Sequence, residues 1–123
     1  KNIMSTRAQV RFATREEGVS FNEHPDKIQA QFYVHSDGYP EGLGLQIACS
    51  ISEDSPNTSF YGEIEELQTI HNDLEYIYYV WQCYDKDTWI SIFECLPFGA
   101  EDNCIFVGRP SDLIKKYKTN TND

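Results

Sequence analysis

The chain passes from a strand pattern to a helical pattern within ten residues, HSDGYPEGLG, at positions 35–44. The Asp-Gly pair permits a tight turn with a positive φ, and Pro40 suits the first position of a helix, where its missing N–H has no partner. Leu43 and the isoleucines that follow it at helical spacing predict a helix over residues 40–52. We therefore interpret the stretch as a strand-to-helix connection. Direct ligand contact is the alternative for three of its residues, His35, Asp37 and Tyr39.

Length and charge limit what the protein does. A chain of 123 residues with a net charge of −10 is long enough for one hydrophobic core and too short for two. We predict a single domain over residues 4–118 and a disordered tail at 119–123. A strongly acidic chain lacks the cationic footprint that phosphate backbones require, which argues against binding to nucleic acid or to a membrane surface. No apolar run approaches the roughly 20 residues that span a bilayer, and the amino terminus lacks a signal peptide, so we expect a cytosolic protein.

Alternation and helical spacing divide the chain into eight elements. The first two strands alternate cleanly, with apolar residues on one face and polar residues on the other. In chain order, the predicted elements are strands at 4–14 and 28–35, helices at 40–52 and 58–72, strands at 76–84, 88–96 and 104–107, and a last helix that Ser111 caps. This order, ββααβββα, predicts an α+β fold with a mainly antiparallel sheet.

Catalytic and metal-binding motifs are scarce. The four cysteines are too widely spaced for a metal knuckle, and we interpret them as reduced, buried thiols, with zinc held by cysteines and His35 or His71 as the alternative. The chain has no Gly-rich phosphate loop, no nucleophile elbow and no zinc-protease motif. His71 and Glu75 stand four residues apart, but the apolar residues around them favour a packed helix end. We therefore predict a protein that is not an enzyme and that holds no metal or cofactor.

The basic residues are concentrated at the two ends of the chain. Between positions 28 and 108 there is one, Lys86, against fourteen acidic residues. If the first strand and the last helix are neighbours, the basic residues of both form one local cationic concavity, which suits a compact anion: Arg7, Arg11, Arg109 and Lys115. Arg109 precedes a helix amino terminus, so its guanidinium and the free N–H groups could hold one phosphate. The alternative is that the arginines form a solvated face or pair with acids.

Aromatic residues fall on both faces of the hairpin predicted for residues 76–84 and 88–96. Cross-strand aromatic pairs are usually part of a core. A small domain with one core buries the aromatic residues on only one face of the hairpin. Those on the other face must therefore meet a helix, a second subunit or a flat ligand. We expect contact between subunits of a homo-oligomer first and stacking on a base second, with Tyr78 and Trp81 as the stacking residues.

Two short segments carry a resemblance to a known family. STRAQVRF at residues 5–12 is an arginine-bearing first strand, and HSDGYP at residues 35–40 follows the second strand. Together they resemble the first family of phage-encoded anti-Thoeris sponges, over residues 4–117 in element order. The resemblance implies sequestration, without cleavage, of a cyclic ADP-ribose signal made by a bacterial TIR-domain enzyme, such as glycocyclic ADP-ribose. It also implies that members hold cyclic oligonucleotides, and that the protein is an oligomer with pockets at subunit interfaces in the host bacterial cytosol.

The resemblance carries over to few residues. Arg109 matches the family's arginine at the entrance to the terminal helix, which implies a phosphate-binding role. Leu113, one turn later, supplies no second charge, so Lys115 or Lys116 has to supply it. Two other function classes stay open. One is an acidic inhibitor that occupies the DNA or RNA groove of a host nuclease, and the other is a small hydrolase of a nucleotide phosphodiester.

Overall fold

The computed structural model describes residues 6–14, 27–51, 60, 62–82, 87–96 and 102–118. Within these residues, the strands are β1 (Arg7–Thr14), β2 (Lys27–Val34), β3 (Glu63–Glu65), β4 (Leu74–Gln82), β5 (Thr88–Glu94) and β6 (Asn103–Gly108). A π-helical turn (Pro40–Gly44) leads into α1 (Leu45–Ile51), and α2 (Pro110–Lys118) follows β6. The predicted tail at 119–123 and the predicted start of the domain at residue 4 lie outside the described residues.

The six strands form one mixed sheet in the order β3-β2-β1-β4-β5-β6. β1 and β4 run parallel, with Val10 opposite Tyr78, and the other neighbouring pairs run antiparallel. The fold is α+β, but the predicted element order and the predicted mainly antiparallel sheet are wrong. After β2 the chain forms the helical layer and then β3 at the outer edge, and it returns to place β4 beside β1 in the same direction.

The helix predicted at 58–72 is wrong, because the described part of that range contains β3 and a turn. β3 pairs antiparallel with β2, with Ile64 opposite Phe32. The edge of β2 carries backbone N–H and C=O groups that need partners, and pairing with β3 supplies them. Gly62, directly before β3, weakens a helix at this point. Ile64 and Leu67, which the helical spacing placed on a buried face, are both exposed.

The strand-to-helix connection at 35–44 lies where the sequence predicts it. Asp37 takes the positive φ, 58°. Gly38 is required for a different reason, since a Cβ at this position would lie 2.8 Å from the Ala8 Cβ. The Gly38 N–H donates to the Thr6 carbonyl at 3.1 Å. The turn is therefore fixed against the start of β1 before Pro40 begins the helical segment.

α1 and α2 pack on one face of the sheet, which we call the helix-covered face. Successive side chains of a strand point to opposite faces, so alternate residues of β1, β4 and β5 meet the helices. Leu43, Ile47 and Leu113 of the helical layer pack against them and form the main core. Burial of this apolar area is the main contribution to stability on this side of the sheet.

The opposite face of the sheet, the far face, is also buried. Its apolar side chains form a second cluster, Ala13, Ile77, Tyr79, Trp81 and Phe93. Tyr79, Trp81 and Phe93 are almost completely inaccessible to solvent. Most aromatic side chains on both faces of the β4–β5 hairpin are therefore buried within one chain, whereas Tyr76 and Trp89 are partly exposed.

Candidate ligand-binding site

Two tryptophans stack on the far face where β4 and β5 pair. Trp81 and Trp89 are opposite each other in the antiparallel register, and their ring centroids are 5.7 Å apart with planes inclined by 13°. Trp81 is completely buried, and its Nε1 donates to Ser91 Oγ at 2.7 Å. Trp89 is only partly buried. The stack therefore runs from the interior of the domain to its surface.

A cavity of about 340 Å³ lies beside this stack, between the ends of β1 and β4 and the start of β5. Phe12, Ala13 and Trp81 give it apolar walls, and Gln82 and Thr88 add polar groups. Sites for small organic ligands typically combine apolar walls with a few polar groups in this way. The cavity is therefore a mainly apolar recess next to Trp81, and neither Trp89 nor Arg109 lines it.

Arg109 extends over Trp89 from the end of β6. Its Cζ atom is 5.9 Å from the Trp89 ring centroid, a distance at which a guanidinium is attracted to an aromatic face. Arg109 Nη1 is 3.5 Å from Asp87 Oδ2, and the two side chains are 45% and 51% exposed. A long ion pair between exposed groups contributes little. The guanidinium is therefore accessible to a ligand.

The backbone of Arg109 starts α2. Its N–H donates to Asp112 Oδ2 at 3.0 Å, and its carbonyl accepts from the Leu113 N–H at 3.1 Å. Arg109 occupies the cap position, and the prediction that Ser111 caps the helix is wrong, because Pro110 already stands at the first helical position. The helix amino terminus favours an anion here, whereas the Asp112 carboxylate opposes one.

Arg7 is engaged at the start of β1. Its Nη1 donates to Asp73 Oδ2 at 2.8 Å, and its Nε donates to the His35 carbonyl at 2.9 Å. The Tyr33 hydroxyl donates to the same Asp73 oxygen at 2.9 Å. Burial by itself raises the pKa of Asp73, but the hydrogen bonds from Tyr33 and Arg7 outweigh it and lower that pKa below its ordinary value. Arg7 therefore ties β1 to the segment that precedes β4.

Arg11 is held by neutral groups on the far face. Its Nη1 donates to the Tyr79 hydroxyl at 2.6 Å, and its Nη2 donates to Gln9 Oε1 at 2.8 Å. β4 and β5 lie between β1 and β6 in the sheet. The first strand and the last helix are thus not neighbours, and Arg7 and Arg11 do not join Arg109 in one cationic concavity.

The two predicted stacking residues are buried. Tyr78 points into the helix-covered core, and its hydroxyl donates to the Gly38 carbonyl at 2.6 Å. Burial raises the pKa of Tyr78 well above its ordinary value, so the hydroxyl stays a neutral donor. Trp81 has no exposed surface. Trp89 is the partly exposed member of the pair, and the sequence did not distinguish it, since both tryptophans stand in alternating aromatic strands.

Lys115 and Lys116 lie in the last part of α2, and both are exposed. Lys116 Nζ is 3.4 Å from the Ile105 carbonyl and 5.3 Å from the Tyr117 ring centroid. These contacts direct it onto β6. Lys115 is six residues from Arg109, which corresponds to about 9 Å along the helix axis. Neither of these two lysines therefore supplies, next to Arg109, the second positive charge that a pyrophosphate requires.

A second cavity, of about 250 Å³, lies at the strand-to-helix connection and is lined in part by His35, Asp37 and Glu63. His35 Nε2 is 3.1 Å from Glu63 Oε1. Two carboxylates in this wall make the cavity acidic, which disfavours a phosphate. Tyr39 precedes the π-helical turn, where its ring lies against Gly42. The geometry here fits the structural interpretation of HSDGYP better than contact with an anionic ligand.

A network of buried polar side chains on the far face was not predicted. Gln9 and Gln31 are almost completely buried, and both donate through Nε2 to Glu65 Oε2, at 2.8 and 2.9 Å. His71 Nε2 lies 2.8 Å from the other Glu65 oxygen, and the His71 ring stacks on Tyr33 at 3.8 Å. In the sequence, both glutamines fall on the polar side of alternating strands, which predicts solvent exposure. Period-two alternation does not distinguish a solvated face from a buried polar network.

Cys49, Cys95 and Cys104 are not in disulfide bonds and are only partly buried, so the prediction that the cysteines are buried is wrong for these three, and Cys83 lies outside the described residues. Burial raises the pKa of Cys95 to about 11, so this thiol is a poor nucleophile at neutral pH. In the described part of the chain, no group of three or more His, Cys, Asp or Glu residues is placed to hold a metal ion.

No protein-family model, curated protein or solved structure matches this chain. No helix in the described ranges is long and apolar enough to cross a membrane. The function therefore has to be inferred from the site itself, in which Arg109, Trp89 and the amino end of α2 come together.

Proposed function

We propose that the protein binds a cyclic ADP-ribose-type nucleotide, such as glycocyclic ADP-ribose, and sequesters it without cleaving it. In this proposal it is a phage anti-defence protein that acts as a homo-oligomer in the host bacterial cytosol and blocks the Thoeris response. The resemblance of residues 5–12 and 35–40 supplies the ligand class, and cyclic oligonucleotides are candidates for the same site. The observation that carries the proposal is the exposed Arg109 guanidinium beside Trp89 at the start of α2.

The chemistry of the ligand matches these groups. The planar fork of an arginine binds phosphate oxygens through two parallel hydrogen bonds, and the helix dipole favours the same negative charge. Trp81 stacks on the Trp89 indole, and the Arg109 guanidinium lies over the same ring, so a base gains a stacking face on Trp89 when Arg109 turns from the indole toward the phosphate. Arg109 and Trp89 are adjacent, so a nucleotide whose base and phosphates fold toward each other, as in a cyclic molecule, contacts both at once.

Two nearby carboxylates set the strength of the site. Asp87 and Asp112 both lie close to the Arg109 side chain or backbone, and each opposes an incoming phosphate. A ligand displaces the long contact between Arg109 and Asp87, which costs little because both groups are exposed. The second phosphate charge has no described cation next to Arg109, so in an oligomer a neighbouring subunit is the expected source.

The fate of the ligand tests this proposal. The protein is incubated with a cyclic ADP-ribose isomer, freed of unbound ligand and denatured by heat, and the released material is analysed by chromatography and mass spectrometry. Intact ligand in stoichiometric amount is the expected result. A chemically altered ligand would identify a hydrolase. If no ligand is released, the protein does not bind this nucleotide and the proposal is wrong.

Arg7→Ala is the matched control for Arg109→Ala in this experiment. Both arginines are partly exposed and both pair with an aspartate, but Arg7 lies on β1, with β4 and β5 between it and β6. We expect Arg109→Ala to release far less ligand than the parent, and Arg7→Ala to release the same amount. Equal loss in both variants would place the site elsewhere.

A protein-binding inhibitor is the second candidate, and the edge of the sheet favours it. Ile64 and Ile70 are 74% and 85% exposed, and the Glu63 side chain beside them is 67% exposed. Exposed apolar residues next to acidic groups suit a partner whose surface is basic and apolar, such as the groove of a nuclease. In that case Ile64→Lys abolishes partner binding, whereas Arg109→Ala leaves it intact.

A further inference from the structure

The buried network on the far face contains a glutamine whose amide orientation is fixed. Gln31 is 1% exposed. Its Nε2 faces three acceptors: Glu65 Oε2 at 2.9 Å, the Thr69 carbonyl at 3.1 Å and the Glu66 carbonyl at 3.3 Å. Turning the amide over would place its oxygen against these three oxygens. Gln31 Oε1 therefore points the other way, and it is buried without a hydrogen-bond donor in the part of the chain that the structure describes.

The guanidinium of Arg11 is equally fixed. Its two terminal nitrogens donate to the Tyr79 hydroxyl and to Gln9 Oε1, and a planar fork held at both tips sets the direction of the third donor, Nε–H. Arg11 Nε is buried, and no acceptor for it is present among the described residues. A buried donor and a buried acceptor that both lack a partner are costly, because each has lost its hydration.

These two atoms belong to the same small region. Arg11 and Gln31 are opposite each other in the β1–β2 register, on the same face of the sheet. The Gln9 side chain connects the two residues. Its Nε2 donates to Glu65 Oε2 and to the Thr69 carbonyl, which also accept from Gln31, and its Oε1 accepts from Arg11 Nη2. One atom is a donor and the other is an acceptor, but they do not bond to each other.

We propose that one ordered water molecule binds between Arg11 and Gln31, accepting from Nε–H and donating to Oε1. The partner must accept and donate at once, which a hydroxyl group does. An anion would face the lone pairs of Gln31 Oε1, and a cation would face the Arg11 guanidinium. The position is buried, which excludes a bulky ligand and leaves water as the molecule of this chemistry. This site is independent of the nucleotide site at Arg109.

Magnetisation transfer from water to Arg11 Hε tests the proposal in the ¹⁵N-labelled full chain. We expect a rotating-frame cross peak of opposite sign to the diagonal, which separates a long-lived dipolar contact from proton exchange. Gln31→Met removes the acceptor and should abolish this peak, whereas Gln29→Met, at an exposed glutamine of the same strand, should leave it unchanged.

Several results overturn the proposal. If the parent protein shows no cross peak between water and Arg11 Hε, the proposal is overturned, whether or not Gln31→Met folds. A peak that survives unchanged in folded Gln31→Met shows a water that does not bridge the two residues. A direct bond between Arg11 Nε and Gln31 Oε1 in a high-resolution crystal structure also overturns it, whereas density for one water within hydrogen-bonding distance of both atoms supports it.

Discussion

Tyr78 connects β4 to the strand-to-helix connection through one buried hydrogen bond. Its hydroxyl donates to the Gly38 carbonyl at 2.6 Å. Tyr78→Phe leaves that carbonyl without this donor, so we expect the free energy of unfolding to fall by about 1–3 kcal/mol, with nucleotide affinity unchanged. Urea unfolding and calorimetry measure the two quantities. If Tyr78→Phe keeps full stability but loses its affinity for the nucleotide, Tyr78 is a binding residue after all.

Arg109 is the residue on which nucleotide binding should depend most. Arg109→Ala removes charge-assisted hydrogen bonds worth about 1.5–3 kcal/mol, which corresponds to a loss of affinity of roughly tenfold to more than a hundredfold. Arg109→Lys keeps the charge and loses the planar fork, so a two-point phosphate contact predicts a clear loss in this variant too. Calorimetry with a cyclic ADP-ribose isomer, alongside a thermal melt, checks both. Unchanged affinity in Arg109→Ala would rule out this placement of the site.

Glu65 makes stability depend on pH. Burial by itself raises the pKa of Glu65, but hydrogen bonds from His71, Gln31 and Gln9 outweigh it and lower the pKa below its ordinary value of 4.5. A pKa that is lower in the folded state contributes stability that is complete above the unfolded value and is lost as pH falls through the folded value. We therefore expect the free energy of unfolding to decrease in acid below pH 4.5, and to decrease less steeply in Glu65→Gln.

Urea unfolding from neutral pH into the acid range measures this dependence. Glu65→Gln should be less stable than the parent at neutral pH, and the difference should narrow as the pH falls. Asp73→Asn is the control. The pKa of Asp73 is also lowered, but its carboxylate is much more exposed than that of Glu65, so this variant should change the pH dependence of stability less than Glu65→Gln does. If the free energy of unfolding falls equally with pH in Glu65→Gln and in the parent, Glu65 is not the source of the acid dependence.

Single residues could be located from the sequence where a neighbour restricts the backbone. Arg109 stands between a glycine and a proline, and that pattern was enough to place it at a helix start. Gln9, Gln31 and Arg11 have no such neighbours. Their burial depends on Glu65 and His71, more than 30 residues away along the chain, and local pattern carries no information about that.

At the scale of the element, Asp112 has two opposing effects at the start of α2, one on helix stability and one on anion binding. Its carboxylate accepts a hydrogen bond from the Arg109 N–H at 3.0 Å and so stabilises the helix start, but it also places a negative charge beside the proposed phosphate site. Asp112→Asn keeps an acceptor and removes the charge. We expect it to raise nucleotide affinity about two- to fivefold, the equivalent of 0.3–1 kcal/mol, with little change in stability.

Asp112→Ala separates the two effects, because it removes both the charge and the acceptor. It should raise affinity by a similar factor while lowering the free energy of unfolding by about 1 kcal/mol. Calorimetry and urea unfolding of both variants provide the measurement. A lower affinity in Asp112→Asn would show that the carboxylate binds the ligand.

The segment at 60–72 shows why an element was predicted wrongly. Phe60, Ile64 and Leu67 recur at helical spacing, and three positions in that window fit an amphipathic helix. The strand is three residues long, which is too short for alternation to be recognised. Its pairing is decided by the open edge of β2, which is a tertiary effect that outweighs local propensity.

At the scale of the whole molecule, we predict that the protein is at least a dimer. The aromatic hairpin gives this prediction little support, since most of the aromatic side chains on both of its faces are buried. Ile64, Leu67 and Ile70 support it instead, because these exposed apolar residues lie within one short segment of the chain and association would cover such side chains. Light scattering should give a mass of at least two chains for the parent.

The double variant Ile64→Lys, Ile70→Lys should be a monomer, and Leu96→Lys, at an exposed leucine in another part of the chain, should behave as the parent does. A parent protein that is monomeric at micromolar concentration would contradict the prediction. It would also mean that the second phosphate charge of the nucleotide is met without a neighbouring subunit.

The α+β class could be predicted from the sequence, and the order of strands in the sheet could not. Alternation in β1, β2, β4 and β5 is visible because each of these strands has seven or more residues. Hairpins are the default connection between neighbouring strands, and β4 departs from it by pairing with β1 across more than 60 residues. Nothing in the local pattern of either strand marks the other as its partner.

The parallel pairing of β1 with β4 also determines when this domain becomes complete during its synthesis. β1 leaves the ribosome more than 60 residues before its parallel partner β4, and the core residue Leu113 of α2 emerges later still. Until β4 is made, one edge of β1 is without its neighbour. A chain whose translation stops before residue 74 therefore presents an open strand edge, which is the kind of surface that pairs with other unfinished chains.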